Sequence, residues 1–351
     1  MSNHFAANHS CAGNRPMPRF PVVTVPVVAS QPTGADDLVP SRLPSLFRLT
    51  SIERLPLDRG CLNRATIFHE QAALTVTLTS RQPEVNLTRG CLVGIRWAGV
   101  PAAEDGAIRI ARLVRLDRPM PIENLFETIP TAWVKDRDLV RRARELFERL
   151  PRGFAHLFNA IFWDGKRLQR YVMGPSSLRG HHQEINGNFR HSVEVAEQAL
   201  ASGVRFGTAF PPVLILGGLL HDAGKADEYD FDRVRQSFSL SARGTLVGHK
   251  HTVLEWIAAA RAQFGVIVPE AHYLALVHAL TAAKGAPDWL GLREPRSLDA
   301  TILSMADRLS GQGDLHQQMA PVDSGFGGFH PHLGRRTYVT PTQVSQEGDR
   351  R

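Results

Sequence analysis

Two adjacent side chains able to bind a metal, His221 and Asp222, end an apolar run over residues 211–225, PPVLILGGLLHDAGK. Prolines open the run and Gly224-Lys225 closes it, which is the punctuation of a short buried helix. Packing does not account for an aspartate there, because a buried carboxylate has to be paired or to hold a cation. An imidazole nitrogen beside a carboxylate oxygen is the ligand mix of Zn, Mn, Fe or Mg. Upstream, His191 lies near the start of a helix whose apolar stripe is Val193, Ala196 and Leu200. Downstream, Asp307 sits in SMADRLSG among Leu303, Met305 and Leu309. One His, an adjacent His-Asp and a distant Asp make a four-ligand set with positions left for water and substrate, as a catalytic metal requires. His249 in GTLVGHKH and His278 in LALVHAL fit a second ion. Asp222 would then bridge two metals ~3.5–4 Å apart. His278, on a strongly apolar helix, has a competing reading as a satisfied core residue.

These residues need helices to hold them, and the chain supplies them over residues 121–313. After a linker at 119–130, amphipathic or apolar helices are expected at 136–150, 153–163, 189–202, 211–221, 244–264, 269–283 and 295–310. Ahead of them, residues 44–120 read as short strands: LFRLTSIERL, CLNRATIFHE, ALTVTLTS, CLVGIRWAG and AIRIARLVRL, separated by turn residues such as Asp58-Arg59-Gly60 and Glu104-Asp105-Gly106. Five strands in so short a span suit a small β-barrel, an OB-fold first and an SH3-like barrel second. Within it Arg89, Arg96, Arg109, Arg112 and Arg115 interleave with Phe68 and Trp97. Basic grooves with aromatic platforms bind single strands, although the same arginines also read as a solvated face with Trp97 in the core. Residues 1–43, with Pro16, Pro18, Pro21, Pro26 and Pro32, read as a disordered or extended tail, and 314–351, Gly, His and Pro-rich, as a flexible one. The expected fold class is mainly α, an all-helical domain preceded by a small OB-like barrel.

Composition narrows the partners. The 351 residues leave room for two modest domains, and the net charge of +7 favours an anionic partner. The three cysteines, Cys11, Cys61 and Cys91, match no zinc spacing and no disulfide framework, which suits a reducing cytoplasm. No apolar run approaches the ~20 residues of a membrane span. No basic stretch followed by an apolar core marks a signal peptide, so no membrane partner is expected.

His191, His221-Asp222 and Asp307 resemble the H…HD…D signature of the HD-domain phosphohydrolases. GPSSLRGHHQEINGNFRHSVEVA is similar to a segment of bacterial 3′→5′ exoribonucleases that carry an OB domain before an HD domain, where a paired His precedes a Gly-rich turn and the first ligand His. His181-His182 and His191 fall on that pattern. GTLVGH resembles the family's Gly-His element at His249, and KGAP with LDATILSMAD its Gly-Ser-Pro turn and final Asp helix. Two positions depart. Asn186-Gly187-Asn188-Phe189 stands where the family has Gly-Gly-Leu-Leu, and a paired His is reduced to His278-Ala279, which leaves a full second metal site open. The HHxxxxGxxxH run is also similar to HD-type relaxase domains of conjugative elements.

The resemblance implies one or two divalent ions, Mn, Fe, Mg or Zn. His191, His221, Asp222 and Asp307 would hold the first, His249 and His278 the second. Lys225 would neutralise a phosphate oxygen or interact with the helix dipole. His181 and His182 would contact substrate or protonate the leaving oxygen, or else stabilise a turn. The leading expectation is a metal-dependent phosphodiesterase, a 3′→5′ exonuclease on single-stranded RNA or DNA. The alternatives are an HD nucleotide phosphohydrolase, a relaxase-like DNA-processing protein, and a non-enzymatic nucleic-acid-binding module, against which the intact H…HD…D set argues.

Overall fold

Alternation of buried and outward side chains builds the N-terminal sheet. Its strands are β1 (Phe47–Leu57), β2 (Gly60–His69), β3 (Ala72–Ser80), β4 (Leu92–Trp97), the two-residue β5 (Ala103–Glu104) and β6 (Ala107–Arg115). This computed structural model describes residues 43–99, 103–285, 287, 289 and 291–341. The tail expected at the N-terminus, with Cys11, lies outside the described residues except for residue 43, and residues 342–351 lie outside them too. In β2, Cys61, Asn63, Ala65, Ile67 and His69 point inward and the residues between them outward, the period of a pleated strand. The sheet order is β3-β2-β1-β4-β6-β5, and β3 also pairs in parallel with β6 through Val76↔Ile108. The five long strands therefore form a closed cycle of pairings. It encloses Phe47, Leu49, Ala65, Ile67, Val76, Leu78, Val93, Ile110 and Leu113.

The helices follow as α1 (Arg137–Glu148), α2 (Arg152–Phe162), α3 (Gly165–Met173), α4 (Gly187–Phe206), α5 (Pro212–Leu220), α6 (Lys225–Glu228), α7 (Ala242–Leu246), α8 (His249–Phe264), α9 (Glu270–Thr281) and α10 (Leu298–Gln318). Asp136 caps α1 by accepting from Leu139 N, and Gly207, with φ +74°, stops α4. α5 is apolar all round and every residue from Val213 to Leu220 is buried, because α2, α4, α9 and α10 pack around it. The contact with α4 is backbone to backbone: a Cβ at Gly218 would stand 2.5 Å from the Ala196 Cα. That approach fixes the ends of α4 and α5 relative to one another.

Two parts of the sequence expectation change. The helical region is not all helix: β7 (Tyr229–Asp232) and β8 (Ser237–Leu240) form a hairpin in which Phe231 and Phe238 pack with ring centroids 4.8 Å apart. The region from 314 is not simply a flexible tail. α10 continues to Gln318, and β9 (Gly325–His330) pairs with β10 (Arg335–Val339). Glycine serves close packing there. Gly328 N and the Thr337 hydroxyl both donate to Met319 O, at 3.0 and 2.9 Å, and a Cβ on Gly327 would meet that oxygen at 1.9 Å. No helix among the described residues is long and apolar enough to cross a membrane.

A buried arginine fastens the sheet to the helices. Arg48 Nε donates to Thr128 O (3.3 Å), Nη2 to Thr128 Oγ1 (2.7 Å) and Nη1 to Gly90 O (2.9 Å), with the guanidinium 5.3 Å from the Trp133 ring centre. Leu46 and Leu92 of the sheet enter the core that contains Phe126, Phe158 and Phe189. The fit is tight at Gly165, where a Cβ would meet Gly90 O at 1.8 Å and Arg48 Nη1 at 2.9 Å. Gly165→Ala is expected to destabilise the chain by about 3 kcal/mol, read as a lowered denaturation midpoint in urea.

Candidate metal centre

His191 projects from the second turn of α4. His221 and Asp222 follow the last turn of α5, Lys225 and Glu228 bound α6, His249 opens α8, and Asp307 with Ser310 comes from α10. Five helices thus deliver one cluster. His191 Nε2 lies 3.2 Å from His221 Nε2, 3.2 Å from Asp307 Oδ1 and 3.5 Å from Asp222 Oδ2. His221 Nε2 lies 3.5 Å from Asp222 Oδ2 and 3.7 Å from Asp307 Oδ1. The four-ligand set expected from the sequence comes together.

The hydrogen-bond network fixes the tautomers. Ser310 Oγ donates its single proton to Glu194 Oε2 at 2.7 Å. It can therefore only accept at 3.0 Å from His191 Nδ1, which must carry a proton. His221 Nδ1 lies 2.8 Å from Gly218 O, an acceptor, and is protonated too. Each neutral ring then turns an Nε2 lone pair toward the other. Two lone pairs facing at 3.2 Å, flanked by two carboxylates, repel unless a cation lies among them. Donor atoms held by bonds of ~2.1 Å stand roughly 3–3.5 Å apart around a divalent ion. The residues fit a metal, and the donated Nδ1 protons are the outer contacts that orient metal-binding histidines.

Electrostatics agree with that geometry. Burial alone would raise the Asp222 carboxyl, but Lys225, His221, His249 and His191 hold it far below the ordinary range. Asp307 is likewise held low, since the His191 and His221 imidazoles outweigh its burial. Burial pushes His191 down, favouring its neutral form. Burial opposes charge on His221, but Asp222 and Asp307 outweigh it and raise its value, so without a metal the two carboxylates draw a proton onto His221 where a cation would otherwise lie.

The other side of Asp222 has its own partners. His249 Nε2 lies 3.3 Å from Asp222 Oδ1, and its Nδ1 lies 2.6 Å from Glu228 Oε2. Lys225 Nζ reaches Asp222 Oδ2 at 2.5 Å and Ser176 Oγ at 3.2 Å. The lysine therefore sits on a ligand carboxylate. His278 does not join the cluster. Its Nε2 accepts the backbone N–H of Arg296 at 3.0 Å, which uses the lone pair a metal would need. The expected partner of His249 at a second ion is thus withdrawn, and His278 takes its competing reading as a satisfied residue.

His181 and His182 lie in a tight loop against the cluster. The His181 ring centre is 4.6 Å from that of His191, and its buried Nδ1 has no partner. Gly311 makes room for it, since a Cβ there would stand 3.0 Å from the ring. Burial, with His191 and Lys225 adding to it, pushes His181 down to about 3. His182 behaves oppositely: burial opposes its charge, but Glu184 and Glu194 raise it to about 9. The departure at 186–187 has a backbone reason. Asn186 adopts φ +68° and its amide donates to Trp133 O and Val172 O, while a Cβ on Gly187 would meet His182 O at 2.1 Å. Asparagine holds the left-handed position there and adds two tethers.

Sequence reasoning missed Glu194, Ser310, Glu228 and Ser176. Each is a common helix or loop side chain, and only its spatial neighbours give it meaning.

On the sheet, Arg96 and Arg112 are exposed and directly opposite one another, and Arg109 is exposed on the same strand as Arg112. Trp97 is half-buried against the sheet core. Arg89 is not beside them. With Arg115, Lys166 and Arg167 it lines a cavity of about 570 Å³ between the sheet, α2, α3 and α8.

Residues 188–312 match the family model described as HD domain. The matched span covers His191, His221-Asp222, His249 and Asp307, and it supports a metal-dependent phosphohydrolase domain over those residues. No solved structure matches the chain.

Two outcomes follow from the hydrogen bonds around His191. Ser310→Ala removes the acceptor that sets its tautomer and should weaken Mn²⁺ binding by roughly 10–100-fold without unfolding the chain; isothermal titration beside a circular dichroism melt reads both. His182 has a folded value of about 9 against an ordinary 6.5. Its contribution to stability is full below the ordinary value and is lost as pH rises through the folded one. The difference in melting temperature between wild type and His182→Ala should therefore shrink across that window.

Proposed function

We propose that this chain is a metal-dependent phosphodiesterase that shortens single-stranded nucleic acid from its 3′ end. The observation that carries the reading is the convergence of His191, His221, Asp222 and Asp307, with both Nδ1 protons committed outward, inside the HD match. A divalent ion there supplies Lewis acidity and lowers the pKa of water. His191, His221, Asp222 and Asp307 would hold it. Lys225 keeps the Asp222 carboxylate ionised and restrains its oxygen, rather than waiting free for a phosphate. His181, held neutral by burial, would contact substrate as an uncharged hydrogen-bonding group and not as the acid that protonates the leaving oxygen. His182, held by Glu194 and Glu184, keeps the loop that carries His181 in place.

The cyclic strand pairing supports the OB-like reading, and with it a polymer substrate. Arg96, Arg109 and Arg112 supply exposed charge, and the half-buried Trp97 leaves one part of its ring for a base. Arg89, in the cavity, belongs to a different surface. One observation favours the second reading. The engagement of His278 with Arg296 leaves fewer ligands for a second ion, and a single ion would suit an HD nucleotide phosphohydrolase or a relaxase-like DNA-processing protein.

The test is to incubate purified chain with Mn²⁺ and end-labelled single-stranded RNA or DNA and resolve the products. A ladder shortening from the 3′ end, lost together with bound metal in Asp222→Ala, is the expected result. Hydrolysis of mononucleotides alone, or cleavage at one internal DNA position, would replace the exonuclease with one of the alternatives. Equal metal content in wild type and Asp222→Ala would overturn the site.

A further inference from the structure

The hairpin β9–β10 gathers exposed aromatic side chains on one face. Phe326, Phe329 and Tyr338 are 65%, 61% and 53% exposed, a large apolar area to leave in water. Phe326 lies opposite Tyr338 and Phe329 opposite Arg336 in the ladder, so the four side chains share one face. The Phe326 and Tyr338 rings meet at 5.0 Å, and the Arg336 guanidinium lies 5.6 Å from the Phe326 ring centre, tied by Nε to Gly327 O at 2.9 Å. Arg335, opposite His330, is exposed but belongs to the other face, and residues 324–341 contain no Asp or Glu. Rigid aromatic rings with positive charge and no acidic side chain complement a chain that has π-faces and phosphates.

The hairpin is also placed next to the metal centre. Its turn carries His332, and a Cβ on Gly180 would stand 2.9 Å from His332 Nδ1, so that ring lies against the residue preceding His181. On the other side it is bonded to Met319, which follows the helix bearing Asp307 and Ser310.

We infer that the β9–β10 hairpin is a binding surface for single-stranded nucleic acid, on which unpaired bases stack on Phe329 and the Phe326–Tyr338 pair while Arg336 meets a phosphate. This rests on the reading of the chain as a nucleic-acid phosphodiesterase, and it assigns the strand a path beside the His181 loop. Stacking is tolerant of sequence and requires unpaired bases.

The experiment uses the full chain with EDTA, so that nothing is cut, and follows the anisotropy of labelled single-stranded and duplex oligonucleotides. In parallel, Mn²⁺-dependent hydrolysis of bis(p-nitrophenyl) phosphate reports the metal centre alone. Phe329→Ala and Tyr338→Ala should each weaken single-strand binding about tenfold. Arg336→Gln should lower the salt slope by about one. Turnover of the small diester should stay at the wild-type value in all three. Unchanged single-strand affinity in these variants overturns the inference, as does an equal loss for duplex. A change in self-association without a change in strand affinity makes the face an interface between copies and overturns it as well. If wild type fails to hydrolyse the small diester while the variants still lose strand binding, the proposed reaction falls and the hairpin surface stands.

Discussion

A buried carboxylate is costly unless something positive or proton-donating meets it. Asp222, buried at the end of the most apolar helix in the chain, sets that requirement here. Lys225 meets one oxygen directly; the Nε2 atoms of His191 and His221 converge on the same oxygen and His249 on the other, so that a proton or a metal ion shared with these rings would complete the compensation. These partners come from α4, the α5 terminus, α6 and α8, so satisfying one charge organises most of the helical region. Asp307, from α10, closes the cluster on its open side. Breaking any one of these partnerships would leave charge buried without compensation.

An outer layer gives the inner one its direction. Glu194 and Ser310 orient His191, Gly218 orients His221, and Glu228 orients His249. Each relies on an acceptor for an Nδ1 proton, so the Nε2 atoms are left facing inward. The sheet is joined to this arrangement through Arg48 and the close contact of Gly90 with Gly165. The position of the sheet relative to the cluster is therefore set by packed backbone and not by a free linker.

Much of this was legible in the residue types. His221-Asp222 after an apolar helix has no packing explanation, and the apolar periods marked the helices that bring His191 and Asp307 to it. What failed has physical causes. His278 looks like a ligand in sequence because nothing local satisfies it, yet its lone pair is taken by an amide at Arg296, beyond the end of its own helix. Ser310 and Glu194 read as ordinary helix surface until the fold places them together. Glycines at 325–328 suggest freedom by composition, but at Gly327 the absence of a side chain permits close approach to Met319. Arg48 resembles an outward strand residue, and its inward direction depends on Thr128, which no strand period can reveal.

The meeting of Gly218 with Ala196 has an effect on how the protein can vary. Where two helices touch through side chains, a change of volume moves their axes. Here a main chain rests on a main chain, and the separation of α4 and α5 beside the site is set at Gly218 and not by the volumes of Ile215 or Leu219, while Leu214 packs on Gly203 farther along α4. Substitutions at Ile215 or Leu219 alter how firmly the protein holds together while leaving His191 and His221 at the same spacing. The catalytic geometry is thereby insulated from sequence drift in the core that surrounds it, and the tolerance ends at residue 218 itself.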